Sequence, residues 1–148
     1  MGRLGLDIVW TAKLTGLLLG ILTLREAYRC GIFLTGDREA SLVAPFLLAI
    51  TPPFANWSTA GLETSPFLFL FLLSLNTLFK EDALEKPPFF SAIPFLLLSL
   101  TRIEGPIYFA VAFFSKLLWD LRRRRLDGRS IFRYLLWGGF FSVFYLAY

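Results

Sequence analysis

The sequence predicts an all-α polytopic membrane protein with about six transmembrane or partly spanning helices. Hydrophobic residues make up 56% of its 148 residues, with 17 Phe and 4 Trp among them. Soluble domains contain about 45–50% apolar residues, and a domain of this size has too little interior to remove the excess from water. The charged residues stand in short gaps between apolar runs, as they do in membrane loops. Lipid therefore suits this surface better than water.

The residue types that are scarce or missing limit the chemistry of the chain. Cys30 is the single cysteine, so the chain forms no internal disulfide and no cysteine metal cluster. Without histidine it contains no His-ligated metal site and no Ser-His-Asp triad. We therefore predict no metal and no cofactor in this chain. The net charge of +4 is spread over the gaps between apolar runs, so we expect membrane lipid as a partner and no nucleic acid.

The first two apolar runs are predicted to cover residues 8–24 and 40–54. The first run follows a basic start, as in a signal peptide, but the residues after it lack a small-x-small cleavage pattern, so we expect a retained helix. Residues 25–39 are predicted to be a polar connector. The second run is predicted to end at Pro52 and Pro53, because a proline pair removes two backbone donors.

The later apolar runs are short and are separated by charged or proline-containing segments. A helix needs about 20 residues to cross the hydrocarbon of a bilayer. The central runs reach that length only if their helices extend into the polar segments 55–66 and 101–106. The later runs are 67–79, 89–100, 107–119 and 131–148.

The distribution of basic residues predicts the orientation. Segments 25–39, 80–88 and 120–133 hold three, two and six Lys or Arg residues, eleven in all, whereas segments 55–66 and 101–106 hold Arg102 alone. Basic loops remain in the cytoplasm. We therefore place the first group inside and the second group outside a cytoplasmic membrane of prokaryotic type, with six spans and both termini outside.

The two outer segments contain the candidate site residues. Segment 55–66 has one carboxylate, Glu63, and segment 101–106 has Arg102 and Glu104. Ionisable groups at membrane depth are costly and usually functional. We expect the guanidinium of Arg102 to lie within about 4 Å of Glu63 or Glu104, the usual limit for a salt bridge. A pair that only locks two helical hairpins together is the alternative interpretation.

Both outer segments resemble motifs of a known family. Residues 57–64, Trp-Ser-Thr-Ala-Gly-Leu-Glu-Thr, are similar to the Gly-Leu/Met-Glu-Thr segment of multi-spanning glycosyltransferases. Residues 100–105, Leu-Thr-Arg-Ile-Glu-Gly, are similar to their Thr-Arg-Pro-Glu-Gly segment, with Ile103 in the place of proline. Over about residues 10–145 the chain thus resembles an inner portion of a GT-C superfamily enzyme. This superfamily includes the mannosyl- and arabinosyltransferases that use polyprenyl-phosphate sugars, which the chain resembles.

The resemblance implies sugar transfer from a lipid-phosphate donor at the outer leaflet. It assigns the donor phosphate to Arg102 and stacking on a sugar ring to Trp57. Glu63 or Glu104 would accept hydrogen bonds from sugar hydroxyls or orient that arginine. Such enzymes hold their catalytic acid in an outer loop that precedes anything matched here, so no catalytic residue is assigned in this chain. The divalent metal of some full-length relatives is likewise not assigned.

The resemblance also implies that residues 1–148 form a single membrane domain, a fragment of a longer protein that is inactive alone. A separately encoded remainder of the enzyme is then a possible partner. Two alternatives stay open: a non-catalytic membrane scaffold or partner subunit, and a small transporter component. A transporter would be expected to show polar residues at mid-membrane and inverted repeats, whereas these runs are nearly all Leu and Phe with no visible repeat.

Overall fold

The computed structural model describes residues 7–60, 63–84, 90–122 and 128–147, and within these ranges the chain is all-helical. This confirms the predicted all-α class. The described part contains seven α-helices, and a short 3-10 helix, Ala40–Leu42, precedes the second. They are α1 Ile8–Thr35, α2 Val43–Ile50, α3 Pro52–Thr59, α4 Thr64–Ala83, α5 Ala92–Thr101, α6 Gly105–Arg122 and α7 Gly128–Ala147.

The lengths of these helices bear on the predicted membrane spans. Within the described ranges, no helix taken alone is long and apolar enough to cross a bilayer. The segments Ala40–Ile50 and Pro52–Thr59 reach the required length and composition when taken together, although the chain bends by 67° between them.

Contacts between backbones divide the chain into two compact units, Met1–Leu72 and Leu73–Tyr148. The first unit contains α1, the 3-10 helix, α2, α3 and the beginning of α4. The second contains the end of α4 with α5, α6 and α7. One membrane domain over residues 1–148 stays a prediction, because compact units can be parts of a single domain.

The first helix is longer than predicted. Asp7 caps its start by accepting the N–H of Val9 at 3.0 Å, and Gly36 ends it in the left-handed conformation at φ 70°, donating its N–H to the Ile32 carbonyl. The predicted connector 25–39 is therefore wrong as far as residue 35. Its arginines and glutamate are good helix formers, so the helix continues until a glycine permits the left-handed cap.

The proline pair begins a helix as well as ending one. Thr51 is extended, at φ −76° and ψ 116°, and it separates α2 from α3. Pro52 and Pro53 occupy the first turn of α3, where a missing N–H is tolerated. Because α3 continues to Thr59, the first part of the polar segment 55–66 is helical.

Helices α5, α6 and α7 pack around an aromatic core in the second unit. The rings of Phe109 and Phe141 stack with centroids 3.7 Å apart, and Trp137 meets Phe109 edge to face at 5.3 Å. Phe95 and Trp137 are fully buried. Aromatic pairs of this geometry add stabilisation to the burial of their area, so this cluster holds the three helices together.

The start of α6 lies directly against the backbone of α5. A Cβ atom built on Gly105 would come within 2.7 Å of the Ser99 backbone nitrogen and 2.8 Å of the Leu98 carbonyl oxygen. These are backbone atoms, which cannot swing aside. A glycine is therefore required at 105 for α5 and α6 to approach so closely.

We expect Gly105→Ala to destabilise the second unit by about 1–3 kcal/mol, the usual cost of overpacking. The measurement is the thermal unfolding midpoint of the purified protein in detergent. Gly139→Ala is the matched control, because a Cβ there meets no atom within 4 Å and alanine favours a helix. Equal midpoints for the two variants would show that the close contact at Gly105 is not a constraint.

Candidate functional site

The turn between α5 and α6 contains two of the predicted site residues. Arg102 leaves the helix in an extended conformation, and its carbonyl accepts the N–H of Gly105 at 3.0 Å. The Arg102 Nη1 atom lies 3.8 Å from Glu104 Oε2, within the distance that we expected. The Arg102 side chain is 34% exposed and that of Glu104 is 56% exposed. An exposed pair of this length contributes little to stability, and the 34% exposure leaves part of the Arg102 side chain open to solvent.

The other two predicted residues lie near the junction of α3 and α4. Trp57 is on α3 with an exposed side chain, and its carbonyl accepts a hydrogen bond from the Ser65 hydroxyl at 3.1 Å. Glu63 directly precedes α4 and is exposed, and its carbonyl accepts the N–H of Phe67. The glycine and leucine of the motif, residues 61 and 62, lie outside the described residues. Ser65 thus ties the start of α4 to α3.

The four predicted site residues therefore fall into two groups. Arg102 and Glu104 are neighbours within the second unit, and Trp57 and Glu63 belong to the first. A joint site of Glu63 with Arg102 stays a prediction. The substrate-binding role of all four side chains stays a prediction too.

A buried polar cluster, which the sequence analysis did not propose as a site, joins three helices of the second unit. Lys116 on α6 donates to Asp82 at 2.5 Å and to both carboxylate oxygens of Asp120 at 2.9 Å. The hydroxyl of Tyr134 on α7 donates to Asp120 at 2.5 Å. Lys116 and Asp120 are each 13% exposed. The i, i+4 spacing of Lys116 and Asp120 was visible in sequence, but nothing in the spacing indicated Asp82 or Tyr134.

Glu81 is also buried, and its carboxylate caps the start of a helix. Its buried carboxylate accepts the N–H groups of Phe90 at 2.6 Å and Ser91 at 3.2 Å, directly before α5. Burial raises the pKa of Glu81, and the hydrogen bonds from Ser91 and Phe90 offset part of that rise. A carboxylate at a helix N-terminus satisfies donors that lack partners within the helix. One residue of the charged segment 80–88 thus caps a helix.

The acidic residues of the described part do not form a metal centre: no three Asp, Glu or Cys side chains there are placed to hold a metal ion. Comparison with protein-family models, with curated proteins and with solved structures finds no match to this chain. Membership of the GT-C superfamily therefore stays a prediction from the two short motifs.

We expect Lys116→Met to destabilise the protein by about 2–3 kcal/mol, because it leaves the carboxylates of Asp82 and Asp120 without their cation. This is below the ~3–5 kcal/mol typical of a fully buried pair, since Asp82 is 36% exposed. The free energy of unfolding in detergent measures the effect. Lys80→Met is the matched control, because Lys80 is exposed near the same end of α4.

A double variant, Lys116→Met with Asp120→Asn, distinguishes a true interaction from a general loss of packing. If the cluster acts as a unit, the double variant costs less than the sum of its two single changes. Strict additivity would contradict the proposed coupling.

Proposed function

We propose that this chain is the membrane-embedded portion of a glycosyltransferase-like protein that binds lipid-phosphate-linked sugars at the outer membrane face. We propose further that it is inactive alone. The observation that carries this proposal is the accessible guanidinium of Arg102 at the polar end of the apolar helices α5 and α6. The two motif resemblances give the proposal its chemistry.

The apolar surface supports the membrane location. Among the described residues, large hydrophobic side chains that are exposed outnumber those that are buried. Leu14, Leu18 and Ile21 are exposed along α1, and Val143 and Leu146 along α7. Soluble monomers rarely leave large contiguous apolar patches in water. Lipid chains are the solvent that these side chains fit.

The orientation that we propose rests on the basic residues. Eleven Lys and Arg in segments 25–39, 80–88 and 120–133 face the cytoplasm, and the turn with Arg102 faces outward. The polar cluster of Asp82, Lys116 and Asp120 then lies toward the cytoplasmic side. On that side Lys116, Asp82 and Asp120 bind one another, and on the other side the Arg102 side chain is 34% exposed.

The chemistry of Arg102 suits a phosphate group. A guanidinium presents a planar set of donors that matches two phosphate oxygens, and the charge strengthens each bond. The 3.8 Å separation from Glu104 is longer than a good charge-assisted hydrogen bond. We propose that a phosphate replaces Glu104 as the partner of this Nη1 atom. The released Glu104 carboxylate, with Glu63, would accept hydrogen bonds from sugar hydroxyls, and Trp57 would stack on a sugar ring.

A non-catalytic scaffold or partner subunit is the second candidate. The hydrogen bonds of Lys116, Asp120 and Tyr134 favour it, because charges at apolar helix ends here serve to hold helices together. If Arg102 and Glu104 do the same, the protein binds no sugar donor. A transporter component remains the third and least favoured class.

The orientation is tested by cysteine labelling in a Cys30→Ser background. We expect Ala60→Cys to react with a membrane-impermeant maleimide in intact cells, because segment 55–66 is placed outside. Leu84→Cys, an exposed position in segment 80–88, should react only after the cells are permeabilised. Labelling in the opposite order would overturn the orientation and the outer-face site with it.

Donor binding is tested with polyprenyl-phosphate mannose and the purified chain in nanodiscs. We expect Arg102→Gln to weaken binding about tenfold or more, since a hydrogen bond to a charged group contributes ~1.5–3 kcal/mol. Glu104→Gln should strengthen binding, because it removes the carboxylate that competes for Arg102. Arg133→Gln, a change at an exposed arginine on α7, is the matched control and should bind as the unaltered chain does.

The same samples test the inactivity of the isolated chain. With candidate acceptors present, no sugar transfer above background is expected. Turnover that is lost in Glu63→Gln or Glu104→Gln would place the missing catalytic acid in this chain. Equal donor binding by the Arg102 and Arg133 variants would favour the scaffold.

A further inference from the structure

Two exposed cations lie at the same end of the second unit. Lys80 is in the last turn of α4 and Arg122 is in the last turn of α6, and both side chains are exposed. The ends of these two helices are joined by Lys116, which donates to Asp82 on α4 and to Asp120 on α6. Lys80 stands two residues before Asp82, and Arg122 stands two residues after Asp120. Both cations therefore lie at the end of the unit that contains the buried polar cluster.

The acidic neighbours of these two cations are already bound elsewhere. The carboxylates of Asp82 and Asp120 bind the lysine of the polar cluster, and the carboxylate of Glu81 caps α5. Among the residues that the structure describes, neither Lys80 nor Arg122 lies within salt-bridge distance of a carboxylate. The described part of the chain thus leaves both positive charges open to an external anion.

The sequence adds further positive charge directly after α6. Residues 122–125 are four consecutive arginines. The last three of them lie outside the described residues, so they enter this account as formal charge alone. Clusters of about four to eight basic residues next to a membrane helix attract anionic lipids. The charge at this end of the unit therefore favours an anionic partner.

Exposed apolar side chains beside the two cations indicate that this partner is a lipid. Leu121 directly precedes Arg122, Trp119 lies one turn earlier on the same helix, and Leu84 follows Lys80 by one turn. These three apolar side chains are each half exposed or more. Tryptophan is enriched where hydrocarbon meets headgroups. An RNA or an acidic soluble protein would leave the apolar side chains in water, whereas a bilayer covers them and presents phosphates beside them.

We propose that this end of the second unit is a docking surface for anionic phospholipids, whose phosphate groups bind Lys80 and Arg122. Charge strengthens the hydrogen bonds that an ammonium or a guanidinium donates to phosphate oxygens. The acyl chains of the same lipids cover Trp119 and Leu121. In the orientation proposed above, these lipids belong to the cytoplasmic leaflet. This inference rests on the proposed membrane location and does not depend on sugar transfer.

The test measures lipid selectivity beside individual tryptophans of the full chain in liposomes of phosphatidylglycerol and phosphatidylcholine. Bromine atoms on the acyl chains of one lipid quench nearby tryptophan fluorescence, so the quenching reports which lipid adjoins the reporter. Trp10→Phe with Trp57→Phe leaves Trp119 as the exposed reporter, and Trp10→Phe with Trp119→Phe leaves Trp57. Trp137 is kept in both proteins, because it is fully buried in the aromatic core. Both leaflets contain both lipids, so the direction of insertion does not matter.

We expect phosphatidylglycerol to be preferred about fivefold beside Trp119 at low ionic strength, the ratio that corresponds to ~1 kcal/mol for one basic residue near the surface. Beside Trp57 we expect no preference, because segment 55–66 contains no Lys or Arg. The preference beside Trp119 should fall in about 1 M salt, where the Debye length is only ~3 Å.

Variants at the two described cations test the surface directly. Lys80→Gln and Arg122→Gln should each lower the preference beside Trp119 about twofold or more, because each removes one positive charge. Arg102→Gln is the matched control for this selectivity, because it removes the same charge at the other end of α6. An unchanged preference in both cation variants would overturn the surface. Loss of the preference on addition of a single-stranded RNA would assign the surface to nucleic acid instead.

The same liposomes distinguish this inference from the membrane location. If both brominated lipids quench Trp119 equally, the chain is in the bilayer and the anionic surface is wrong. An equal preference for phosphatidylglycerol beside Trp57 would also overturn the surface, because the selectivity would then not be local. If neither lipid quenches either reporter, the membrane location is wrong, and the docking surface with it.

Discussion

The close contact of α6 with α5 at Gly105 determines where the polar turn of the second unit lies. No side chain separates the two helices there, and only residues 102–104 lie between the end of α5 at Thr101 and the start of α6 at Gly105. Arg102 and Glu104 are thereby confined to one short turn, and their charges lie close together. The glycine of the Thr-Arg-Ile-Glu-Gly motif is therefore required for packing. The two charged residues before it lie in the short turn that precedes it.

The charged side chains described above in the second unit fall into two groups, those in contacts between helices and those exposed to solvent. Lys116, Asp82 and Asp120 meet inside the second unit, and Glu81 caps α5. These groups are poorly suited to bind a ligand, because drawing one of them away would leave its partner as an unpaired, buried charge. Arg102 Nη1 lies 3.8 Å from Glu104 Oε2, and the Arg102 side chain is 34% exposed. Burial, more than charge itself, separates these structural residues from the partly exposed candidate ligand-binding residue.

The sequence predicted the helical class because composition and apolar runs decide it, but it misplaced several boundaries. Residues 25–35 were assigned to a connector on polarity, although Arg, Glu and Ala favour helices wherever no breaker intervenes. The proline pair predicts the end of a run, although Pro52 also suits the first turn of α3. Of the candidate site, the proximity of Arg102 and Glu104 followed from local spacing. The contact of Lys116 with Asp82 joins residues far apart in the chain, and no local pattern indicates it.

In the membrane location proposed above, the bend at Thr51 would affect the surrounding lipid. Taking ~2.0 Å per residue for the 3-10 turn and ~1.5 Å for the α-helical residues, the two arms would measure roughly 18 and 12 Å. With the 67° bend between them, their ends lie roughly 25 Å apart, several ångströms less than the ~30 Å hydrocarbon thickness of a typical bilayer. A span of this shape is hydrophobically mismatched, and bilayers relieve such a mismatch by thinning locally. In the membrane orientation proposed above, the lipid beside the first unit would be thinner than its surroundings, and the protein would favour thin membranes over thick ones.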